Sequence, residues 1–213
     1  MTAVLTVVAI VAGLASGLLT DQSVLWSRLF KIGASTAVIA IVFTGAPAFS
    51  GYAMFIAAGL VISWFGDLAL SFTGERPLLA GLASFALAHA LYTAGFFARS
   101  PMDLAAVALS GIAMALTAGA ILRWLGPHTP ERMRIPVAVY VGIISVMVVA
   151  SFGTSGTLQD PRIPMAAVLF AISDVLVARN RFVVRALANR VGGLPTYYAA
   201  QALFAITVVT PWT

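Results

Sequence analysis

The stretch YAMFIAAGLVISWFGDLALSF, residues 52–72, decides the class of fold. It contains one charged residue, Asp67, and it is as long as the roughly 20 mostly apolar residues that a helix needs to cross a bilayer. Further apolar stretches lie on both sides of it, and we expect helices at Thr2–Leu19, Ser27–Phe43, Tyr52–Phe72, Leu78–Phe97, Leu104–Leu125, Ile135–Phe152, Ile163–Ala178 and Thr196–Val209. The sequence therefore predicts an all-α membrane protein with eight transmembrane helices in one transmembrane domain, residues 1–213.

The composition agrees with this class. Of the 213 residues, 61% are hydrophobic and only 9% are charged, whereas a soluble domain carries about 25% charged residues. The absence of cysteine excludes disulfides, thiolate metal sites and thiol nucleophiles. The net charge of +5 reports membrane topology and contact with anionic lipid, so we expect membrane lipids and no nucleic acid as partners. The N-terminal stretch lacks the basic region of a cleaved signal peptide, and we expect it to be a retained helix.

The positions of proline and of the basic residues predict the helix ends and the topology. All ten prolines are expected in loops or at helix ends, with none in the middle of a helix. The odd-numbered connections hold ten Lys and Arg residues and the even-numbered ones hold two, Arg99 and Arg162. Because cytoplasmic loops carry the excess of basic residues, we expect the odd-numbered connections in the cytoplasm and both termini outside the cell.

Polar residues at membrane depth are the candidates for function, because ionisable groups are costly there. Six such residues from six helices fall in the half of the membrane nearer the cytoplasm: Lys31, Asp67, His89, Tyr140, Asp174 and Gln201. Aromatic residues lie beside them at helical spacing, which is typical of a pocket for an amphipathic molecule. The competing interpretation is that the aspartates only hold helices together through hydrogen bonds to neighbouring Ser or Tyr residues, and that Lys31 extends to the headgroups.

A weak internal repeat relates the two aspartates. Asp67 lies in GDLAL and Asp174 in SDVLV, 107 residues later. This spacing predicts two four-helix halves of the same orientation, related by an axis along the membrane normal. In that arrangement the two aspartates would face each other across the axis.

Five segments in sequence order resemble the lysoplasmalogenase (YhhN-type) family of membrane hydrolases. They are LFKIGAST around Lys31, GDLAL, AHALYTAGF around His89, FAISDVLVARNRF around Asp174, and TYYAAQALFA. In that family a proline often follows the early lysine, whereas Ile32 occupies this position here. The resemblance implies a multi-pass protein of the cell membrane that cleaves the vinyl ether bond of a lysophospholipid, a lysoplasmalogen, to a fatty aldehyde and a glycerophospho-alcohol.

That reaction begins with protonation of the β-carbon of the vinyl ether, and water then captures the oxocarbenium ion. It calls for one acid and one base, and we expect Asp67 and Asp174 as this pair, with His89 as a third catalytic residue. The expected substrate-binding residues are Lys31, Tyr92, Tyr140, Ser173, Tyr197, Tyr198 and Gln201. No cofactor is expected. The rival interpretation is a zinc site formed by Asp67, His89 and Asp174, although catalytic zinc is usually held by ligand sets richer in His.

Three other functions remain open at this point. A small-solute or ion transporter would also use buried aspartates, but transporter sites typically use helices broken at mid-membrane, and the predicted helices have no central proline. A hydrolase of another lysolipid would use the same residues. A scaffolding protein would not need six polar groups at one depth.

Overall fold

The structure, a computed structural model, describes residues 1–44 and 51–210. Within these ranges it consists of eight α-helices and short helical turns and has no β-strand, which confirms the all-α fold. The helices are α1 (Thr2–Leu19), α2 (Val24–Val42), α3 (Gly51–Leu70), α4 (Glu75–Arg99), α5 (Leu104–Leu125), α6 (Glu131–Leu158), α7 (Arg162–Ala178) and α8 (Leu187–Val209). A 3₁₀ turn, Gly126–His128, follows α5, and a π-helical segment, Arg179–Val183, follows α7.

Two helices are longer than predicted and contain prolines. Pro136 lies inside α6 and Pro195 lies inside α8, so the prediction that no helix has an interior proline is wrong. A proline cannot donate to the carbonyl four residues earlier, which for Pro195 is the carbonyl of Val191, but helices in a membrane bundle tolerate this loss where their neighbours support them. Close to Pro195, the hydroxyl of Ser173 in α7 donates to the carbonyl oxygen of Gly193 at 3.0 Å. Helix α8 therefore begins at Leu187, before the predicted start at Thr196, and continues through Pro195.

The other helix ends agree more closely with the sequence. The bounds of α1 and α5 are those predicted, and Pro77 and Pro164 lie in the first turns of α4 and α7, where proline is tolerated. Pro47 and Pro211 lie outside the described residues.

The odd-numbered connections lie together at one end of the bundle, which we call the basic end. Arg28, in the first turns of α2, donates to the carbonyl oxygen of Ser71 beyond α3 at 2.8 Å. Arg132 in α6 pairs with Glu75 at the start of α4 at 2.6 Å. These contacts show that basic side chains from separate connections meet at the same end.

At the opposite end the buried carboxylate of Asp160 joins three helices. It accepts hydrogen bonds from Arg99 Nη2 at 3.1 Å and from Arg162 Nε at 2.8 Å, and the Arg99 guanidinium lies 4.4 Å from the ring centroid of Tyr52. Burial acts to raise the pKa of Asp160, but the hydrogen bonds from Arg162 and the charges of both arginines outweigh it, so the pKa is lowered. We call Tyr52, Arg99, Asp160 and Arg162 the Asp160 cluster.

Glycines on α3 allow the aromatic side chains of α4 to pack directly against its backbone. A methyl group on Gly66 would meet the ring of Phe85 at 2.8 Å, and one on Gly59 would overlap the ring of Tyr92. Close backbone approach at small residues is the usual way in which helices associate in membranes. The two glycines therefore fix the positions of α4 side chains beside Asp67.

The packing of the helices follows the pattern expected of two related halves, with one exception. If α1–α4 are matched with α5–α8, most contacts of one half have a counterpart in the other. The pair α1–α2 corresponds to α5–α6, α2–α3 to α6–α7, and α3–α4 to α7–α8. The contacts between the halves also match, since α4 packs on α6 and α8 packs on α2. The exception is α5. Its counterpart α1 packs on both α2 and α8, whereas α5 packs mainly on α6, and Leu125 is its one buried residue.

Seven of the described helices, α1 to α7, are long and apolar enough to cross a membrane. Helix α8 is less apolar, and Asn189 and Gln201 are among its buried residues. The structure therefore shows a multi-helix protein of membrane type, in which α8, the helix outside that set of seven, is packed against α1, α2 and α7.

Candidate functional site

A cavity of about 490 Å³ lies in the half of the bundle nearer the basic end. Its wall is formed mostly by aliphatic side chains of α4, α5, α6 and α7. Six of the ten predicted site residues line it: Lys31, Asp67, Tyr140, Ser173, Asp174 and Tyr197. An apolar pocket with a few converging polar groups is the usual form of a small-molecule site.

Asp67 is held by hydroxyl groups from two other helices. Its Oδ2 accepts hydrogen bonds from Ser35 Oγ at 2.6 Å and from the Tyr197 hydroxyl at 2.7 Å. The ammonium group of Lys31 also attracts the carboxylate. Ser35 was not predicted, although it lies four residues after Lys31 and hence on the same face of α2. Burial of Asp67 opposes its ionised form, and these three groups act against that effect.

A chain of hydrogen bonds continues from Tyr197 away from the cavity. Gln201 Nε2 donates to the Tyr197 hydroxyl at 2.9 Å, and the Tyr92 hydroxyl donates to Gln201 Oε1 at 2.6 Å. Tyr92 and Gln201 do not line the cavity. All donors point toward Asp67, so Tyr92 and Gln201 can act on a substrate only by fixing the hydroxyl of Tyr197.

Tyr198 and Ser173 are engaged in helix packing. The Tyr198 hydroxyl donates to the carbonyl oxygen of Lys31 at 2.9 Å, and its ring lies outside the cavity wall. Ser173 lines the cavity, but its hydroxyl donates to the carbonyl oxygen of Gly193 at 3.0 Å. Ser173 can therefore accept a hydrogen bond from a bound molecule while its own hydrogen is used between α7 and α8.

Asp174 is held by a second, separate set of groups. Its Oδ2 accepts a hydrogen bond from the Tyr140 hydroxyl at 2.6 Å, and His89 Nε2 lies 3.0 Å from that hydroxyl and 3.5 Å from Oδ2. Because the Tyr140 hydrogen is directed to the carboxylate, His89 Nε2 must be the donor to Tyr140. His89 is fully buried, and within the described residues its Nδ1 has no hydrogen-bond partner. His89 does not line the cavity, and it is connected to Asp174 through the hydroxyl of Tyr140.

Aromatic rings separate the two carboxyl groups. Phe170 lies edge-on between His89 and Tyr197, with ring centroids 4.6 Å and 5.2 Å away, and Phe85 contacts both Phe170 and Tyr197. Phe85 is one of the aromatic residues whose helical spacing beside His89 indicated a pocket, whereas nothing in the sequence singled out Phe170. The rings keep the two hydrogen-bonded sets apart, so each carboxyl group has its own surroundings.

The hydrogen bonds of both carboxyl groups, within the described residues, all reach Oδ2. They run to Ser and Tyr residues of neighbouring helices, which is what the packing interpretation predicted. The Oδ1 atoms of Asp67 and Asp174 are not tied to the protein in this way, and both residues line the cavity. In each carboxyl group, Oδ2 is used in packing, and these hydrogen bonds do not use Oδ1.

Among the described residues, no three His, Asp or Glu side chains come close enough together to hold a metal ion. The set of Asp67, His89 and Asp174, which the zinc interpretation required, is divided between the two hydrogen-bonded sets. The expectation that the protein uses no cofactor stays a prediction.

The chain is similar to proteins of one known family over most of its length. The family model of the YhhN family matches residues 26–208. The chain is 31% identical over 160 residues to lysoplasmalogenase TMEM86A of Bos taurus, an alignment covering 72% of this chain and 65% of that protein. It is 30% identical over 159 residues to lysoplasmalogenase TMEM86B of Homo sapiens, covering 75% of this chain and 65% of that protein. A lysoplasmalogenase of Mycobacterium bovis is 28% identical over 125 residues, or 57% of this chain and 46% of that protein. The match thus spans a little under two thirds of the length of the mammalian relatives, and no solved structure matches the chain.

Proposed function

The chain belongs to the YhhN family, and on that basis we propose that it hydrolyses the vinyl ether bond of lysoplasmalogens to a fatty aldehyde and a glycerophospho-alcohol. One structural observation supports this activity most strongly. Two carboxyl groups, Asp67 and Asp174, line one apolar cavity and have separate hydrogen-bonded surroundings. The reaction needs an acid and a base at one site, and the relatives named lysoplasmalogenase support the choice of substrate.

The proposed setting is the cell membrane, which all eight helices cross, with both termini outside and the basic end in the cytoplasm. The ten Lys and Arg residues of the odd-numbered connections support this orientation. The cavity lies in the half of the bundle nearer the basic end, so its polar groups would then lie in the cytoplasmic leaflet.

The cavity suits the reacting part of a lysophospholipid in size and polarity. Its volume of about 490 Å³ lies in the range of roughly 300–1,000 Å³ of ordinary ligand sites. Its aliphatic wall would take the part of the hydrocarbon chain next to the vinyl ether. Lys31 and Arg181, which line the cavity, carry the positive charge that a lipid phosphate requires. In this arrangement the vinyl ether, which joins the chain to the glycerol, would lie beside the two aspartates.

In the proposed mechanism Asp174 is the acid and Asp67 is the base. Asp174 gives its proton to the β-carbon of the vinyl ether, which leaves an oxocarbenium ion on the adjacent carbon and oxygen. Water adds to that carbon and loses a proton to Asp67, forming a hemiacetal. The hemiacetal collapses to the aldehyde and the free alcohol, and the proton on Asp67 returns through solvent to Asp174. Two hydroxyl groups donate to Asp67 and one donates to Asp174, which supports this assignment, because such donors offset the effect of burial on a carboxylate.

The test is aldehyde release by the purified, lipid-reconstituted protein from lysoplasmenyl-ethanolamine. The matched control is the saturated alkyl ether analogue, which has no double bond to protonate and should be inert. An ester lysolipid is the third substrate. Release of fatty acid from the ester without aldehyde from the vinyl ether would indicate the alternative hydrolase, and no hydrolysis of either would contradict an enzymatic function.

One observation favours a transporter as the second candidate. Pro195 inside α8, two residues after Gly193, gives this helix the irregularity that transporter sites use, and it removes the argument that the sequence offered against transport. The helix nevertheless continues unbroken to Val209. Proton-coupled or ion-coupled uptake into proteoliposomes, measured in the same preparation, decides between the candidates.

A further inference from the structure

The cavity wall contains residues that also lie on the outer surface of the bundle. Thr117 of α5 and Ile172 of α7 both line the cavity and are both exposed, Ile172 by 47%. Thr117 lies eight residues from the end of α5 and Ile172 six residues from the end of α7, so they are about 12 and 9 Å from the basic ends of their helices. The two residues thus lie at similar depths, and the cavity reaches the surface of the bundle between α5 and α7.

Helix α5 leaves this side of the cavity open. It packs mainly on α6, and a methyl group on Gly119, on its exposed side, would meet no atom within 4 Å. Its counterpart α1 is held between two helices. The hydroxyl of Thr117 donates to the carbonyl oxygen of Ala113 at 2.8 Å, so its polar hydrogen is already used. The surface at this opening is consequently apolar and suited to hydrocarbon.

The depth of the cavity is too small for a whole lipid chain. From Asp174 to Val168, the cavity residue of α7 nearest the opposite end, there are six residues or about 9 Å along the helix. On α6 the wall extends from Tyr140, the partner of Asp174, to Val148, which is eight residues or about 12 Å. A chain that fills one leaflet of a hydrocarbon core about 30 Å thick extends about 15 Å. With the vinyl ether at the carboxyl groups, the far part of a long chain cannot remain in the cavity.

We propose that the gap between α5 and α7, at Thr117 and Ile172, is a lateral portal for the hydrocarbon chain of a membrane lysolipid. The chain slides in from the bilayer, and its far end stays in the portal during reaction. This rests on the proposed function for the position of the vinyl ether. The portal predicts that hydrolysis of lysolipids with long chains depends on the gap between α5 and α7. Hydrolysis of a short-chain analogue should not depend on it, because the short chain ends inside the cavity.

The first test fills the portal with a large side chain. Thr117→Trp and Ile172→Trp are compared with Leu116→Trp and Met165→Trp, which change exposed residues of the same helices outside the cavity. Each portal variant should lower kcat/KM for a long-chain lysoplasmalogen by about tenfold or more, a typical size for a change of steric fit. Activity toward a four-carbon analogue should stay near that of the wild type. Equal effects of portal and control variants would overturn the proposal.

The second test does not depend on turnover. The chain has no cysteine, so Thr117→Cys and Leu116→Cys each introduce one thiol that a maleimide can label in lipid nanodiscs. The inert alkyl ether lysolipid should slow labelling at position 117 and leave position 116 unchanged. Protection at 117 in a protein that releases no aldehyde would support the portal and contradict the proposed function. Aldehyde release without protection at 117, or protection equal at both positions, would overturn the portal.

Discussion

Asp67→Asn and Asp174→Asn should each remove most turnover while the protein remains folded. An amide has nearly the shape of a carboxyl group but cannot exchange a proton in the reaction. In Asp67→Asn the amide oxygen, placed where Oδ2 lies, can still accept from Ser35 and Tyr197, because a carbonyl oxygen has two lone pairs. The NH₂ group then replaces Oδ1, the oxygen proposed to act on the substrate.

The two expected effects differ in size. A hydrogen bond to a charged group is worth about 1.5–3 kcal/mol and one between neutral groups about 0.5–1.5 kcal/mol. Weakening two bonds at Asp67 should thus lower the free energy of unfolding by about 2 kcal/mol, and weakening one at Asp174 by about 1 kcal/mol. Loss of a general acid or base should lower turnover by about 10²- to 10⁴-fold, or about 3–5 kcal/mol of barrier.

The double variant distinguishes packing from catalysis. Asp67 and Asp174 share no hydrogen-bond partner, so their effects on unfolding should add. Their effects on turnover should not, because groups that act as a unit are non-additive. The matched control is Asp160→Asn, which leaves the two arginines of the Asp160 cluster without a carboxylate. It should lower stability by up to about 3 kcal/mol and leave turnover per folded molecule unchanged.

The assay pairs aldehyde release per folded molecule with a thermal unfolding curve for every variant. A general acid or base contributes at least about 10²-fold to turnover. If either cavity variant retains more than about a tenth of wild-type turnover, the paired-carboxyl mechanism is therefore wrong. A large drop in stability with turnover intact at Asp67 or Asp174 would leave only the packing interpretation.

Four further outcomes are expected. His89→Ala and Tyr140→Phe should each lower turnover, with the double variant no worse than the worse single one, since His89 acts through the Tyr140 hydroxyl; a folded His89→Ala protein with wild-type turnover would remove His89 from the site. The pKa of Asp160 in the folded protein is below its unfolded value of about 3.9. The stabilisation by Asp160 is therefore complete above the unfolded pKa and is lost as the pH falls through the folded pKa. The Tm difference between wild type and Asp160→Asn should accordingly shrink from pH 6 to pH values below about 4. In intact cells an impermeant maleimide should label Gln159→Cys and not Glu131→Cys; the reverse pattern would invert the topology. Chelators should leave turnover unchanged, and a loss that zinc restores would favour the metal interpretation.

The class of fold and the ends of α1 and α5 followed from hydropathy and length alone. The early parts of α6 and α8 escape prediction because proline is an ordinary signal for a helix end. Near Pro195 this part of α8 is packed against α7, and the hydroxyl of Ser173 in α7 donates to the carbonyl oxygen of Gly193. Sequence reasoning weighs the local cost of proline, but it cannot see the contacts that offset it.

For the site, depth in the membrane and helical spacing select the polar residues near the cavity, but they predict less well which of these residues contact each other. The pair Tyr197 and Gln201, one turn apart, is hydrogen-bonded as its spacing suggests. His89 and Tyr92 share a face of α4, yet His89 contacts Tyr140 and Tyr92 contacts Gln201. A turn of α4 separates the two side chains, and the neighbouring helices α6 and α8 decide their partners.

The packing and catalytic interpretations of the aspartates need not compete. A carboxyl group buried in a bundle must have hydrogen-bond donors, since an unpaired one is costly to bury. Here the donors are Ser35, Tyr197 and Tyr140, on helices other than those of the aspartates, so the same bonds join helices and set the orientation of each carboxyl group. Because these bonds use Oδ2, they fix the orientation of each carboxyl group and leave Oδ1 without one of these bonds. Preorganised groups on rigid helices are what an acid and a base require, and the hydrogen bonds that stabilise the bundle supply that rigidity.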